Sequence, residues 1–275
     1  MRRIEKPWLL LLALCTGMWA GPSMSHAQDV HADLPDSPAE SLRTKHGSQA
    51  DREVTWRSVP KDFLHDQKGI WLFPTQLAKG HYWLPTLGIV GGTAGLIVAD
   101  PHAMPYFRDH ARNLDDINDV FDSPITAGEI VAVPASLLVA GYVRHDSYQV
   151  GTGILAGLAY ADTVVVDLAI KAATRRKRPS DIPPGEPFND TFFSSGKSPL
   201  KGSSFPSGHA AGVFSIATVI ATRYRNHRWV PWVSYGFATA VSFSRVTTLS
   251  HFPSDVFLGA ALGYTITRYQ TLAPR

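Results

Sequence analysis

From Lys61 onward, long apolar stretches alternate with short polar connections. Six stretches stand out, at about 82–99, 127–143, 148–172, 208–223, 229–244 and 255–268, all rich in Ala, Leu, Val and Gly. Most are longer than an ordinary strand of about 5–6 residues, so they read as helices. The predicted fold class is all-α, a helical bundle of about six core helices, over residues 61–275. Residues 28–60 are polar, carry Pro35, Pro38 and Gly47, and hold no apolar period, the pattern of a flexible polar lead-in. Residues 1–27 differ again. A basic Met1-Arg2-Arg3 start, an apolar run from Pro7 to Ala20, and small residues at Ser25 and Ala27 form the pattern of a secretory signal peptide. A retained anchor is the alternative.

Composition narrows the classes. Hydrophobic residues make up 44% and charged residues 18%, which excludes a disordered chain. Lys and Arg number 26 against 23 Asp and Glu, so there is no field suited to nucleic acid and no nucleic-acid partner is expected. Cleavage after Ala27 removes Arg2, Arg3, Glu5 and Lys6 and leaves 23 basic against 22 acidic side chains. Cys15 is the one cysteine, so a disulfide framework, a cysteine zinc site and an iron–sulfur cluster are excluded. Asp115, Asp116, Asp119 and Asp122 lie in one connection; a metal site is conceivable there, but a solvated face is the plainer reading.

Three clusters carry chemistry. Lys171 to Pro179 closes the third apolar stretch. Lys171 and Arg178 are seven residues apart and share a helical face if the helix runs that far, with Pro179 ending it. Ser203 to Gly212 opens the fourth stretch. Ser207 is a natural N-cap, Gly208 lets a ligand approach its amide, and free amides at a helix start favour an anion beside His209. Ser244 to Asp255 links the fifth and sixth stretches. Pro253 marks the helix start, and Asp255 is placed to accept a hydrogen bond from His251 and so free its other nitrogen for attack. Singly, each has a bland reading: a basic cap, an ordinary N-cap, a surface His–Asp pair. In an antiparallel bundle all three meet at one rim. Cations, amides, two histidines and an aspartate together suit a phosphate.

The ordered set Lys171-x6-Arg178-Pro179, Pro206-Ser207-Gly208-His209 and Ser244-Arg245-x5-His251-x3-Asp255 resembles the three-part signature of the type 2 phosphatidic acid phosphatase and vanadium haloperoxidase superfamily. The resemblance implies that Lys171, Arg178 and Arg245 bind phosphate oxygens with the Ser207 side chain and the Ser207 and Gly208 amides. It implies a phosphohistidine on His251, orientation of that ring by Asp255, and proton transfer by His209. No metal and no cofactor are implied. Arg175, Arg176 and Lys177 fall on variable positions and read as surface or membrane-facing charges.

Within that superfamily the length argues against a vanadate-dependent haloperoxidase. A phosphate monoester hydrolase remains, acting on a phosphorylated lipid or a small organic phosphate, with a non-catalytic helical binding protein as the other alternative. Phe188, Phe192 and Phe193 either pack or meet an acyl chain. A spanning helix needs about 20 apolar residues, and only Gly80 to Ala99 supplies them. Asp162 and Asp167 interrupt the third stretch. If a cleaved chain spanned six times, the motifs would face the cytoplasm, opposite to the membrane branch. Both points favour a periplasmic or secreted bundle resting on a membrane surface, with an integral inner-membrane protein as the alternative.

Overall fold

The computed structural model describes residues 52–111, 118, 123–194 and 203–274. The signal segment, most of the lead-in and the four aspartates Asp115, Asp116, Asp119 and Asp122 lie outside the described residues. Among those described, all regular structure is helical. Two short helices, α1 (Val59–Trp71) and α2 (Phe73–Ala78), precede the bundle. The bundle consists of α3 (Trp83–His110), α4 (Ser123–Val143), α5 (Ser147–Thr174), α6 (Gly208–Arg223), α7 (Val230–Thr247) and α8 (Pro253–Ile266). These are the six apolar stretches. The end of the lead-in belongs to the fold: Arg52 and Val54 are buried, and the Arg52 guanidinium lies 3.7 Å from Asp62 and 3.9 Å from Asp66 on α1.

Local chemistry sets the helix ends. Asp146 caps α5 by accepting from the Gln149 N–H at 3.0 Å, and Ser207 caps α6 by accepting from Ala210 at 3.4 Å. Prolines occupy the first turns of α7 and α8, where a missing N–H costs nothing. Two boundaries differ from the sequence reading. Helix α3 continues past Ala99 to His110, because Asp100 is not a solvent-seeking end but a fully buried, paired carboxylate. Helix α5 stops at Thr174. Arg175 turns into the left-handed region at φ 43° and bonds back to the Lys171 carbonyl. Lys171 and Arg178 therefore do not share a helical face; Arg178 sits in extended backbone beyond the cap.

Helix α6 lies at the centre, packed against α5, α7 and α8. Leu155 and Ala159 of α5, Val219 of α6 and Val241 of α7 are fully buried between them. Helices α6 and α8 run side by side in the same direction with their backbones close. A Cβ placed on Gly259 would overlap the Ser207 carbonyl, and one on Gly263 the Ala211 carbonyl. Small residues spaced four apart permit this approach. It sets the start of α6 beside the first turns of α8.

The outer surface is apolar to an unusual degree. Trp83–His110 and Ser147–Asp181 each contain a segment long and apolar enough to cross a bilayer, with mean hydropathy 1.3 and 1.7. The second is more than half buried in the bundle. The first is buried over only a small part, and Leu84, Leu87, Val90 and Val98 on α3 are exposed, as is Trp232 on α7.

Gly263→Val should destabilise the fold by about 1–3 kcal/mol, because the added atoms meet backbone that cannot yield. Gly236→Ala, where the new Cβ meets nothing within 4 Å, should leave the melting temperature unchanged or raise it. Thermal unfolding of the two variants beside the parent checks both.

Candidate active site

The three sequence clusters converge where α5 ends, α6 begins and α7 turns into α8. The turn is closed by the His251 N–H, which donates to the Arg245 carbonyl at 3.0 Å. His251 is 2% exposed. Its Nδ1 lies 2.7 Å from the Ser204 carbonyl oxygen. A carbonyl only accepts, so Nδ1 carries the proton and Nε2 keeps its lone pair. The sequence reading gave that role to Asp255. Asp255 Oδ2 is instead 3.6 Å from Nδ1, beyond a hydrogen bond, and accepts from the Phe252 N–H at 2.8 Å. The Ser204 carbonyl is thus the nearer partner of Nδ1, with the Asp255 carboxylate beside it.

Lys171 is held from two sides. Its ammonium is 2.6 Å from Asp167 Oδ2 and donates to the Pro206 carbonyl at 2.7 Å. Gly208 faces this pair: a Cβ there would stand 3.2 Å from Asp167 Oδ2 and 3.3 Å from Lys171 Nζ. Glycine at 208 leaves the Lys171 ammonium room beside the helix start. The Ser207 N–H is not available to a ligand, contrary to expectation, since it donates to the Asp255 carbonyl at 2.9 Å. Gly208 and His209 are the first two helical residues, and N–H groups at those positions point out of the helix end. Arg178 contributes a buried Nε that makes no hydrogen bond to any described residue. Arg245 is buried and its Nε and one terminal nitrogen lie 3.2 and 3.0 Å from Ser244 Oγ.

The electrostatics match this convergence. Burial lowers the His209 pKa to about 4, with help from Arg245, His251, Arg178 and Lys171. Burial also lowers His251, against the opposing pull of Asp255. Burial pushes Asp255 up, but His251, Arg176 and the Phe252 N–H outweigh it and hold the carboxyl below its ordinary range. The site gathers Lys171, Arg178 and Arg245 around two histidines whose pKa values burial lowers.

The sequence reading missed the next layer entirely. Arg176, read as a surface or membrane-facing charge, is 1% exposed. It donates to Asp255 Oδ1 at 2.6 Å, to Ser254 Oγ at 2.7 Å, to Asp100 Oδ2 at 2.7 Å and to Thr191 Oγ1 at 3.0 Å. Its guanidinium also stacks 3.9 Å from the Phe252 ring centre and 4.4 Å from that of Phe192. Residues 175–178 are pinned by backbone bonds from Lys177 to Thr191 and from Ser204 to Arg176. Of the three phenylalanines, Phe188 is buried against Phe252, Phe192 packs on Phe205, and Phe193 is exposed. Among the described residues, no group of three or more His, Cys, Asp or Glu side chains is placed to hold a metal ion.

Residues 152–274 match the family model of the PAP2 superfamily, and this span includes all three clusters. That region belongs to the PAP2 superfamily. A lipid A 1-phosphatase from Porphyromonas gingivalis is 39% identical over 66 residues, which is 23% of this chain and 14% of that protein. The chain thus matches about a seventh of that relative's length. A crystal structure of a transmembrane PAP2-type phosphatidylglycerolphosphate phosphatase from Bacillus subtilis is similar at 19% identity, covering 74% of this chain and 92% of that one, with a TM-score of 0.40.

The PAP2 region should bind oxyanions with proton uptake. A bound dianion favours the His209 imidazolium, so its pKa rises from about 4 on binding. Affinity for tungstate should therefore increase as pH falls from 8 towards 5. In His209→Ala the log–log slope should be shallower by up to about one proton. Isothermal titration across that range measures both slopes, and equal slopes would remove His209 from the anion's surroundings.

Proposed function

We propose that this chain is a metal-independent phosphatase that releases inorganic phosphate from a phosphate monoester, most aptly a lipid phosphate, through a phosphohistidine on His251. The observation that carries this is the locked tautomer of His251. With Nδ1–H on the Ser204 carbonyl, Nε2 is the ring atom left to attack, amid the positive field of Lys171 and Arg178. Positive charge for the phosphoryl oxygens comes from Lys171, Arg178 and Arg245, with the outward amides of Gly208 and His209.

The steps balance as follows. His251 Nε2 forms a bond to phosphorus as the phosphorus–oxygen bond to the leaving alcohol breaks. Protonated His209 gives its proton to the departing alkoxide. Neutral His209 then takes a proton from water, whose oxygen attacks phosphorus and breaks the phosphorus–nitrogen bond. Phosphate leaves, and His251 is regenerated. The empty site keeps His209 neutral at pH 7, so its proton arrives with the substrate anion or from solvent on binding. Ser207 serves as helix cap and as a hydroxyl at the phosphate pocket.

A lipid substrate is supported by the apolar outer face of α3, which runs beside the loop that follows α5. Arg108 near its end donates to the carbonyls of Pro179, Ile182 and Pro183 at 3.2, 2.9 and 3.3 Å. A helix whose large apolar side chains face outward beside the site suits a protein working at a membrane, with that face in lipid. The periplasm remains the expected compartment.

Phosphate release by the chain without residues 1–27 should survive excess EDTA and vanish in His251→Ala. His209→Ala should lose about 10²–10⁴-fold on alkyl phosphates and much less on aryl phosphates, whose leaving groups need no proton. Equal losses on both would contradict the acid role. Dioleoyl phosphatidic acid in mixed micelles should be turned over faster than glycerol 3-phosphate; the reverse order would contradict a lipid substrate.

A further inference from the structure

We infer that Arg176, held by Asp100, is a positioning residue that sets the field of Asp255 on His251. This rests on the reading of His251 as the nucleophile. The geometry is a chain of four groups from four segments. Asp100 comes from the middle of α3, Arg176 from the extended residues after α5, Asp255 from the first turn of α8 and His251 from the turn before it. Side-chain exposure is 0% for Asp100, 2% for Arg176 and 0% for Asp255. The guanidinium bridges the two carboxylates at 2.7 and 2.6 Å. Ser254 is tied to both ends. Its N–H donates to Asp100 Oδ1 at 3.2 Å, its hydroxyl donates to Asp100 Oδ2, and it accepts from Arg176.

Two features separate this from an ordinary structural ion pair. First, every polar contact fixes Asp255 in one orientation. Oδ1 is held by Arg176 and Oδ2 by the Phe252 N–H, and Oδ2 lies 3.6 Å from His251 Nδ1. Second, the cluster is one cation between two carboxylates. Arg176 offsets part of the Asp255 charge, and Asp100 offsets part of the Arg176 charge. The basicity of His251 therefore depends on a residue of α3 that does not touch it. The other charged or titratable groups facing His251 are Lys171 and Asp167 from α5, Arg178 beyond it, and His209 from α6, with Arg245 of α7 beyond His209.

The test is opposite movement of one titration. Removing the Arg176 cation leaves Asp255 at full strength, which favours the His251 imidazolium, so Arg176→Gln should raise the His251 pKa. Removing the Asp100 charge leaves Arg176 less compensated, so Asp100→Asn should lower it. Each shift should be on the order of one pH unit. Arg176→Lys, with its charge kept but its fork lost, should fall between parent and Arg176→Gln. The His251 ring resonance of histidine-labelled protein, assigned by its absence in His251→Ala, reads this without any substrate. It therefore stands apart from the phosphatase reading: a protein inactive on every phosphate tested would still show the shifts. In turnover of p-nitrophenyl phosphate, kcat should fall about 10–100-fold in Arg176→Lys with KM little changed, because the phosphate ligands are intact. Should Arg176→Gln fail to fold, Asp100→Asn carries the test, being the same shape as the residue it replaces. Unmoved His251 titration in folded Asp100→Asn, or movement in the same direction in both variants, would overturn the inference.

Discussion

Two carboxylates, Asp100 and Asp255, are fully buried where α3, α8 and the extended segment after α5 meet, and the Arg176 guanidinium bridges them. Burying carboxylates is costly, and a cation hydrogen-bonded to both offsets much of that cost. With the guanidinium between them, Asp100 fixes α3 to the first turn of α8, and Asp255 fixes that turn beside His251. The Phe252 and Phe192 rings lie 3.9 and 4.4 Å from the guanidinium, which is buried. The groups of the candidate site are then arranged around this cluster. Lys171 is set by Asp167, the α6 start by Ser207 and the close approach of α8, and His251 by the Ser204 carbonyl.

The bundle was legible because each core helix carries its own apolar stretch, and the six stretches match α3 to α8. The site was legible for a different reason. Its residues cluster at helix ends, where Ser207, Gly208 and Pro253 announce the boundary in the sequence itself. What escaped was long-range pairing. Nothing near Asp100 says that its partner is Arg176, so Asp100 read as a helix end and Arg176 as a surface charge. The helix α5 also looked able to run to Pro179, because no glycine marks its stop; Arg175 supplies the left-handed turn instead, and that turn is what sends Arg176 inward. Likewise, the hydrogen bond from His251 goes to a main-chain carbonyl 47 residues away, which no side-chain spacing reveals.

The arrangement divides labour between inside and outside. Polar and charged groups are concentrated on one rim, where the buried Arg178 Nε makes no hydrogen bond to any described residue. The outer face of α3 carries Leu84, Leu87, Val90 and Val98 into the surroundings, then continues into the layer that supports the site. One helix therefore exposes an apolar face along one part of its length and holds Arg176 through Asp100 at another. This is the physical link between an apolar outer face and the charged candidate site in this chain.

The central claim is that His251 carries the phosphoryl group. Rapid acid-free quenching during turnover of an aryl phosphate, followed by peptide mass spectrometry, tests it most directly. The account predicts an acid-labile, base-stable phosphate on the peptide containing His251, lost in His251→Ala and accumulating in His209→Ala. Phosphate on another residue, or full turnover with no phosphoenzyme in either protein, would contradict it.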